Sequence, residues 1–303
     1  MEVVAITGAD GFIGKNLASH FLDLGIEVYA IGINESRLSD LRCPKLHFIK
    51  AYFEDYDNLD KLLPIGKIDV FYHFAWNGVF GESFKDYKLQ LLNTQYACVA
   101  LSKAINLKCK KFVLASTINV LETRHYMTMD SFEPRYTNIY STCKLSAEMI
   151  CKTIAFQNKI DFNCGLISMV YGENNYSMMI PNVVMLNLIK NIESNLVPEN
   201  TPYDLIYVSD VADAFIAIGN KGVNQKTYYI GHRKLSTFGE LFTRIKKCIN
   251  PDGVLNFGVY PDKNEIDYSL INIDALYEDT GFEAKSNFEE SIIKTSNWLK
   301  TIK

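Results

Sequence analysis

The chain has no excess of positive charge and no long hydrophobic run. It contains 31 Lys and Arg residues against 35 Asp and Glu residues, a net charge of -4, so it lacks the basic field that nucleic-acid binding requires. No apolar run approaches the roughly 18 residues that a membrane span needs. The first strand begins at Glu2 or Val3, which leaves no room for a signal peptide. We therefore expect a cytoplasmic protein that binds neither nucleic acid nor a membrane.

The cysteines form no recognisable disulfide or metal pattern. They number seven, which is odd, and no two of them have CxxC spacing. This favours reduced thiols over a disulfide framework or a zinc site, and we predict no metal. Hydrophobic residues make up 48% of the 303 residues, enough for one large core or for a core with a smaller lobe.

Strand-like and helical patterns alternate through the first half of the chain. After a first strand that ends near residue 7, strand-like runs recur at residues 26–31, 46–49, 70–74, 112–115 and 162–167, with helical patterns at 56–63, 87–105 and 140–158. Such alternation predicts an α/β fold with a doubly wound parallel Rossmann sheet. We assign residues 1–167 to a dinucleotide-binding domain, with a returning strand near 227–230. Residues 168–303, where the alternation becomes irregular, are predicted to form mainly a smaller substrate-binding lobe.

The glycine-rich stretch TGADGFIG at residues 7–14 joins the first strand to the first helix. Gly8 allows the tight turn, Gly11 allows the backbone to approach a pyrophosphate, and Gly14 allows the helix to pack on the strand. The amides at the start of that helix can then hold phosphate. We predict a dinucleotide site formed by Gly8, Asp10, Gly11, Phe12, Ile13 and Gly14; the alternative is an ordinary glycine-containing turn.

The end of the second predicted strand lacks the acidic residue that usually accepts the ribose hydroxyls of NAD. Gly32 occupies that place, and Asn34, Ser36 and Arg37 follow it. These side chains can donate hydrogen bonds to a 2′-phosphate, so Asn34 and Arg37 favour NADP as the cofactor. NAD remains an alternative because Glu35 is near enough in sequence to reach the ribose.

Tyr140 and Lys144 lie four residues apart on one face of a predicted helix. A phenol has an ordinary pKa of about 10 and needs a nearby cation to exchange protons at neutral pH. Lys144 supplies that cation, which makes Tyr140 a candidate acid and base. Ser116 and Thr117 end the fifth strand, where a hydroxyl can contact the reacting oxygen of a substrate; simple strand capping is the alternative.

Together these motifs resemble the extended short-chain dehydrogenase/reductase family, in particular its nucleotide-sugar epimerase, dehydratase and ketoreductase branch. The resemblance covers nearly the whole chain: TGxxGxxG at 7–14, His-x-Ala at 73–75, the hydroxyl pair at 116 and 117, Tyr140 with Lys144, VYG at 170–172 and a weaker match at 203–211. It implies that Tyr140 is the acid/base, that Lys144 also holds the nicotinamide ribose, and that Thr117, with Ser116 as second choice, contacts the sugar.

The resemblance also implies further cofactor contacts. Phe74 and Ala75 would lie beside the dinucleotide, and Trp76 would cover the cofactor or line the sugar site. The usual adenine-contacting Asp is replaced by Tyr52, which leaves that contact to the backbone or to stacking by Phe53. Members of this family often pair through two long helices, so a homodimer through residues 87–105 and 140–158 is implied as well.

Departures from the family pattern narrow the expected reaction. Dehydratases carry Asp-Glu directly after the active Thr, whereas this chain has Ile118 and Asn119. We therefore predict an NAD(P)-dependent oxidoreductase acting on a nucleotide sugar, most simply a reductase of a 4-keto-(6-deoxy)sugar. A nucleotide-sugar 4-epimerase is the first alternative, and a non-catalytic NAD(P)-binding module is the second.

The arginines with which the family grips the substrate diphosphate are also missing. Tyr203 occupies one of their places, and a second Arg expected near Tyr260 is absent. Lys263, Arg233 and Lys234 are the replacements that we consider. The other reading is that the substrate carries no nucleotide diphosphate.

Overall fold

A parallel seven-stranded sheet forms the centre of the protein. The computed structural model describes residues 1–261 and 266–302. The sheet contains β1 (Val3–Thr7), β2 (Glu27–Gly32), β3 (Leu46–Lys50), β4 (Val70–His73), β5 (Lys111–Thr117), β6 (Asp161–Ile167) and β11 (Thr227–Ile230), numbered in chain order over all strands. Their spatial order is β11-β6-β5-β4-β1-β2-β3, and every pair is parallel. The predicted doubly wound Rossmann sheet is confirmed.

Helices cover both faces of the sheet. They are α1 (Phe12–Asp23), α2 (Leu59–Leu62), α3 (Tyr87–Asn106), α4 (Val120–Tyr126), α5 (Asn138–Asn158), α6 (Ile180–Lys190), α7 (Val208–Lys221), α8 (Phe238–Ile249), α9 (Ala275–Thr280) and α10 (Phe288–Leu299). On one face the small residues of α3 and α5, among them Ala97, Ala100 and Ala147, are completely buried. On the other face α1 packs beside α7, and Phe21 and Phe215 are buried there. Both faces of each central strand are thus apolar, as a parallel sheet requires.

The second half of the chain adds three short strand pairs and a third core. Strand β7 (Met169–Tyr171) pairs with β10 (Leu205–Tyr207), β8 (Ser194–Asn195) with β13 (Leu255–Asn256), and β9 (Pro202–Tyr203) with β12 (Ser236–Thr237). The third core lies between α6, α8 and α10, where Phe238 and Phe242 stack with ring centroids 4.1 Å apart. The division into a domain of residues 1–167 and a lobe of residues 168–303 stays a prediction.

One local expectation was met only in part, because the segment is helical but differs from the prediction in its type and its start. The helix predicted over residues 56–63 is a 3-10 turn, Phe53–Asn58, followed by the single turn of α2. Asp55 accepts a hydrogen bond from the backbone N of Tyr52 at 2.9 Å, and this local bond starts the turn three residues early.

In the described residues no helix is both long and apolar enough to span a bilayer.

Candidate active site

The glycine-rich turn between β1 and α1 packs so closely against neighbouring backbone that a side chain does not fit at Gly8 or Gly14. Gly8 has a φ of +68°, and a Cβ there would lie 2.8 Å from the backbone N of Ala75. A Cβ on Gly14 would lie 2.2 Å from the carbonyl oxygen of Gly8. Gly11 precedes α1 and provides no side-chain cap, so amides of the first turn remain available to an anion. The turn therefore fits the pyrophosphate of a dinucleotide.

A cavity of about 950 Å³ opens above this turn, over the carboxyl ends of β1, β4, β5 and β6. Most of the predicted site residues line it: Gly8, Gly11, Phe12, Ile13, Gly14, Arg37, Phe74, Ser116, Thr117, Tyr140 and Lys144. Ligands bind at this edge of doubly wound sheets because the loops that follow the strands converge there. We call the part formed by Gly8, Phe74, Thr117, Tyr140 and Lys144 the sheet wall.

Tyr140 and Lys144 project from the first two turns of α5 into the cavity. Burial raises the pKa of Tyr140 above its ordinary value, and an interaction with the Thr117 hydroxyl offsets part of that rise. Burial also lowers the pKa of Lys144 to about 7, because a charged ammonium is poorly solvated there. Lys144 Nζ donates to the carbonyl oxygen of Ala115 at 3.1 Å. The cavity thus holds a protonated phenol beside an amine that titrates near neutral pH.

Trp76 helps to fix Lys144 in this position. Lys144 Nζ lies 3.8 Å from the centroid of the indole ring, a distance at which the ring quadrupole attracts an ammonium. The ring is held because its Nε1 donates to Gln90 Oε1 at 2.8 Å, and Gln90 itself is fully buried. Trp76 also meets Tyr140 edge to face, with centroids 6.2 Å apart. The Trp76 indole therefore contacts both predicted catalytic side chains, Tyr140 and Lys144.

His73 is buried below the cavity and takes no part in its lining. Its Nδ1 pairs with Thr7 Oγ1 at 2.8 Å, and its Nε2 has no hydrogen-bond partner among the described residues. Burial, together with the charge of Lys144, lowers the pKa of His73 to about 3. The ring is consequently neutral at neutral pH and cannot donate a proton as an imidazolium.

The two residues directly after Thr117 carry no carboxylate. Ile118 is buried in the core, and Asn119 lines the cavity with its backbone N bonded to Thr117 Oγ1 at 3.3 Å. Ser116, one residue earlier, is 4% exposed. Thr117 is the more accessible of the two predicted hydroxyls, in agreement with its rank as first choice.

Two predicted cofactor residues lie at the end of β2 rather than in the cavity lining. The carboxylate of Asp10 accepts hydrogen bonds from the backbone N atoms of Ile33 and Asn34, at 3.1 and 2.9 Å. The side-chain oxygen of Asn34 accepts from the backbone N and the hydroxyl of Ser36. Arg37, in contrast, reaches the cavity.

Phe53 and Ala75 also lie outside the lining. Phe53 stacks on Tyr96 with centroids 4.8 Å apart and meets Tyr56 edge to face. Ala75 lies directly behind Gly8 and limits what can replace that glycine. Their predicted contacts to the cofactor remain predictions.

Several lining residues were not predicted from sequence. Arg135 and Tyr136 lie just before α5, and the Arg135 guanidinium forms a bidentate ion pair with the buried Glu122. The far side of the cavity is formed by residues of the second half of the chain. We call Val197, Tyr203, Phe238 and Tyr268 the distal wall. Tyr203 begins the weaker family match at 203–211, but no local motif marks the other three positions, which lie in separate segments.

Two of the proposed replacements for the missing arginines, Arg233 and Lys234, do not lie in this lining. Arg233 pairs with Asp274 at 2.6 Å and covers the ring of Tyr277 on the surface. Lys234 is exposed, and Lys263 lies outside the described residues. Within residues 1–261 and 266–302, the cations that line the cavity are Arg37, Arg135 and Lys144. In the same residues no three His, Cys, Asp or Glu side chains are grouped as metal ligands would be.

Sequence comparison relates the chain to enzymes of sugar metabolism. The profile of the NAD dependent epimerase/dehydratase family matches residues 4–231. A trifunctional UDP-glucose 4,6-dehydratase/UDP-4-keto-6-deoxy-D-glucose 3,5-epimerase/UDP-4-keto-L-rhamnose-reductase of Arabidopsis thaliana is 24% identical, over 97% of this chain and 46% of that protein. The dTDP-D-glucose 4,6-dehydratase of Bos taurus is 26% identical, over 98% of this chain and 88% of that protein. The chain spans about half the length of the trifunctional relatives that it matches.

Solved structures share the fold over nearly the whole chain. The UDP-N-acetylglucosamine 4-epimerase of Methanobrevibacter ruminantium superposes with a TM-score of 0.82 at 21% identity, covering 99% of this chain and 98% of that one. The UDP-glucuronic acid 4-epimerase of Bacillus cereus, solved in complex with NAD, has a TM-score of 0.77 at 18% identity and covers 98% of each chain. At sequence identities this low, the structural similarity shows a shared fold and nothing beyond it.

Proposed function

Because the chain belongs to the NAD dependent epimerase/dehydratase family, we propose that it is an NAD(P)-dependent oxidoreductase that reduces a 4-keto-(6-deoxy)sugar carried on a nucleotide. The convergence of Tyr140, Lys144 and Thr117 beside the glycine turn supports this proposal most directly. A nicotinamide bound in the cavity would supply or accept hydride. The chain itself would supply the proton and the orientation of the sugar.

Tyr140 is suited to donate that proton. Its raised pKa keeps the phenol protonated at neutral pH, as reduction of a carbonyl requires. The Lys144 ammonium, when charged, stabilises the phenolate that remains after the transfer. Thr117 Oγ1 would hydrogen-bond the same carbonyl oxygen and hold it near the phenol. The three side chains therefore perform one proton transfer at one substrate oxygen.

The residues after Thr117 argue against dehydration. Removal of water from a sugar needs a general acid and a general base, and Ile118 and Asn119 offer neither at the places where dehydratases of this family carry them. A reductase or an epimerase can work without those groups. The likeness to dehydratases in sequence thus does not extend to this pair of positions.

The aromatic distal wall suits the nucleotide end of the substrate. Tyr203 meets Phe238 edge to face at 5.0 Å, and Tyr268 lies on the same side of the cavity. Aromatic side chains bind bases by stacking. We propose that this wall replaces part of the affinity that arginines provide in other members of the family.

The side chains at the end of β2 determine whether the site prefers NAD or NADP. Arg37 reaches the cavity, which supports the NADP preference predicted from sequence. The carboxylate of Asp10 lies at the same strand end and opposes it.

Turnover of a panel of nucleotide-linked 4-keto-6-deoxy sugars tests the reductase. We expect the purified protein to oxidise NADH or NADPH with at least one member of the panel. Tyr140→Phe should abolish most of that activity, whereas the matched control Tyr136→Phe, which changes a nearby lining phenol, should retain it. A protein that binds dinucleotide but oxidises none of it with any member would contradict the proposal.

A 4-epimerase is the second candidate, because it needs the same Tyr140, Lys144 and Thr117. Nucleotide sugars that interconvert without net consumption of dinucleotide would establish it in place of the reductase. If Tyr140→Phe left every measured turnover unchanged, the assignment of Tyr140 as the proton donor would be wrong. If the protein bound dinucleotide but turned over no nucleotide sugar, the non-catalytic binding module predicted as the last alternative would remain.

We also propose a homodimer through α3 and α5. The outer faces of these helices carry large apolar side chains, including Leu91, Met149, Ile150 and Phe156, the last of which is 74% exposed. A dimer formed through these two helices would remove such exposed apolar side chains from water. Light scattering should give twice the mass of the chain, and Phe156→Asp should reduce it to that of a monomer. The monomer mass for the unmodified protein would refute the dimer.

A further inference from the structure

Gly32, the last residue of β2, stands where doubly wound folds usually carry an acid that accepts ribose hydroxyls. A Cβ built on Gly32 would lie 2.4 Å from Asp10 Oδ1 and 2.7 Å from Asp10 Cγ. A side chain at position 32 would therefore run directly into the carboxylate of Asp10. The negative charge that β2 lacks is therefore present at nearly the same place, on Asp10 of the glycine-rich turn.

The surrounding backbone holds this carboxylate in position. Asp10 Oδ2 accepts from both Ile33 N and Asn34 N. Asp10 Oδ1 accepts no hydrogen bond in the part of the chain that the structure describes. One oxygen is thus bound to the protein, and the other is left for a donor at the end of β2. The residue is 9% exposed, so that donor would find little competition from water.

We propose that Asp10 replaces the β2 acid, accepts the hydroxyls of the adenosine ribose and makes the site select NAD over NADP. The inference rests on the dinucleotide binding of the proposed function and adds the residue that determines selectivity. The phosphate of NADP would stand beside a fixed carboxylate, where like charges repel. This result runs against the NADP preference predicted from Asn34 and Arg37.

The two opposing side chains are less well placed than Asp10. Asn34 and Arg37 are exposed, and the oxygen of Asn34 is already bonded to Ser36. Attraction by an exposed arginine is screened by solvent and salt. A carboxylate held by two backbone amides cannot turn away from an incoming phosphate. We therefore expect the negative charge of Asp10, which is held in place, to outweigh the positive charge of the exposed Arg37.

Calorimetric titration of NAD and NADP into the unmodified protein and four variants tests the inference without any sugar substrate. The unmodified protein should bind NAD at least about tenfold more tightly than NADP, the effect expected of one charged hydrogen bond. Asp10→Asn keeps the shape and an acceptor for the two amides, so it should lose about tenfold in NAD affinity and gain in NADP affinity. Asp40→Asn, which changes an exposed acid that pairs with Lys15, should bind both as the unmodified protein does.

The double variant Asp10→Ala, Gly32→Asp returns the acid to β2 in the space that Asp10 vacates. We expect it to recover most of the NAD affinity that Asp10→Ala alone loses, a result that a merely structural role of Asp10 would not produce. A preference of the unmodified protein for NADP, or equal NAD affinity in Asp10→Asn, would overturn the inference while leaving the proposed function intact. Failure of every protein to bind either dinucleotide would refute both.

Discussion

The two walls of the cavity differ in composition and in how they are held. The sheet wall contains glycines, hydroxyls and the Tyr140–Lys144 pair, and all three cations of the described lining come from the first half of the chain. The distal wall is apolar and aromatic. Among the described residues, the one charged side chain beside it is Asp204, which is already bonded to His232 and Tyr229. We therefore propose that the sheet wall carries out the reaction and that the distal wall selects the substrate.

The largest effect that we expect comes from the proton donor of the sheet wall. Tyr140→Phe should lower the rate of sugar reduction by about 10²- to 10⁴-fold, the usual contribution of general acid catalysis. Its dinucleotide affinity should change little, because the variant removes only the hydroxyl. Steady-state rates and calorimetric titration measure the two quantities. Equal losses in rate and in dinucleotide affinity would assign Tyr140 to binding instead.

The glycine turn should tolerate substitution less well than an exposed turn with the same backbone conformation. Gly8 and Gly66 have φ values of +68° and +75°, so alanine at either position adds about 1–2 kcal/mol of strain. Only at Gly8 does the new Cβ also meet backbone, 2.8 Å from Ala75 N, whereas nothing lies within 4 Å at Gly66. Gly8→Ala should unfold at a lower temperature than Gly66→Ala and lose dinucleotide binding. Comparable behaviour of the two variants would show that close packing behind the turn is unimportant.

A smaller effect is expected when an aromatic ring of the distal wall is removed. Tyr268→Leu should raise KM for the nucleotide sugar by about tenfold, in the range of one base-stacking contact, with kcat nearly unchanged. Tyr277→Leu removes a ring that lies outside the cavity under Arg233 and should leave KM as it was. A fall in kcat for Tyr268→Leu would mean that the distal wall takes part in the reaction itself, and the contrast between the walls would fail.

The smallest expected effect is a pH dependence of dinucleotide binding that arises from the charge of Lys144. With its pKa lowered to about 7 by burial, the amine is mostly neutral at about pH 8, and a bound diphosphate favours its charged form. Binding should therefore take up as much as about one proton per site at that pH, and dinucleotide affinity should fall as the pH rises above about 7. Titrations in buffers of different ionisation enthalpy measure the uptake. Lys144→Met should abolish it, and uptake that persists in this variant would locate the titrating group elsewhere.

Patterns that are local in sequence were sufficient to predict the sheet wall. The turn of Gly8 to Gly14 and the spacing of Tyr140 and Lys144 each lie within one element, so the geometry of that element determines how their residues are arranged. The helix expected over residues 56–63 begins earlier, at Phe53, and its first part is a 3-10 helix. The backbone N of Tyr52 donates to the side chain of Asp55 at that start. In the distal wall, Phe238 and Tyr268 carry no such pattern and were missed, whereas Tyr203 was noted only because it stands in the place of an arginine.

The sequence by itself determined the fold class, the dinucleotide turn and the pair of residues expected to move a proton, because strand alternation and helical spacing depend on near neighbours. Only the tertiary structure decided which distant residues meet. It placed Asp10 against Gly32, Trp76 beside Lys144 and Tyr268 opposite the sheet wall. Such contacts depend on loop lengths and on packing between elements far apart in the chain, which no short stretch of sequence encodes.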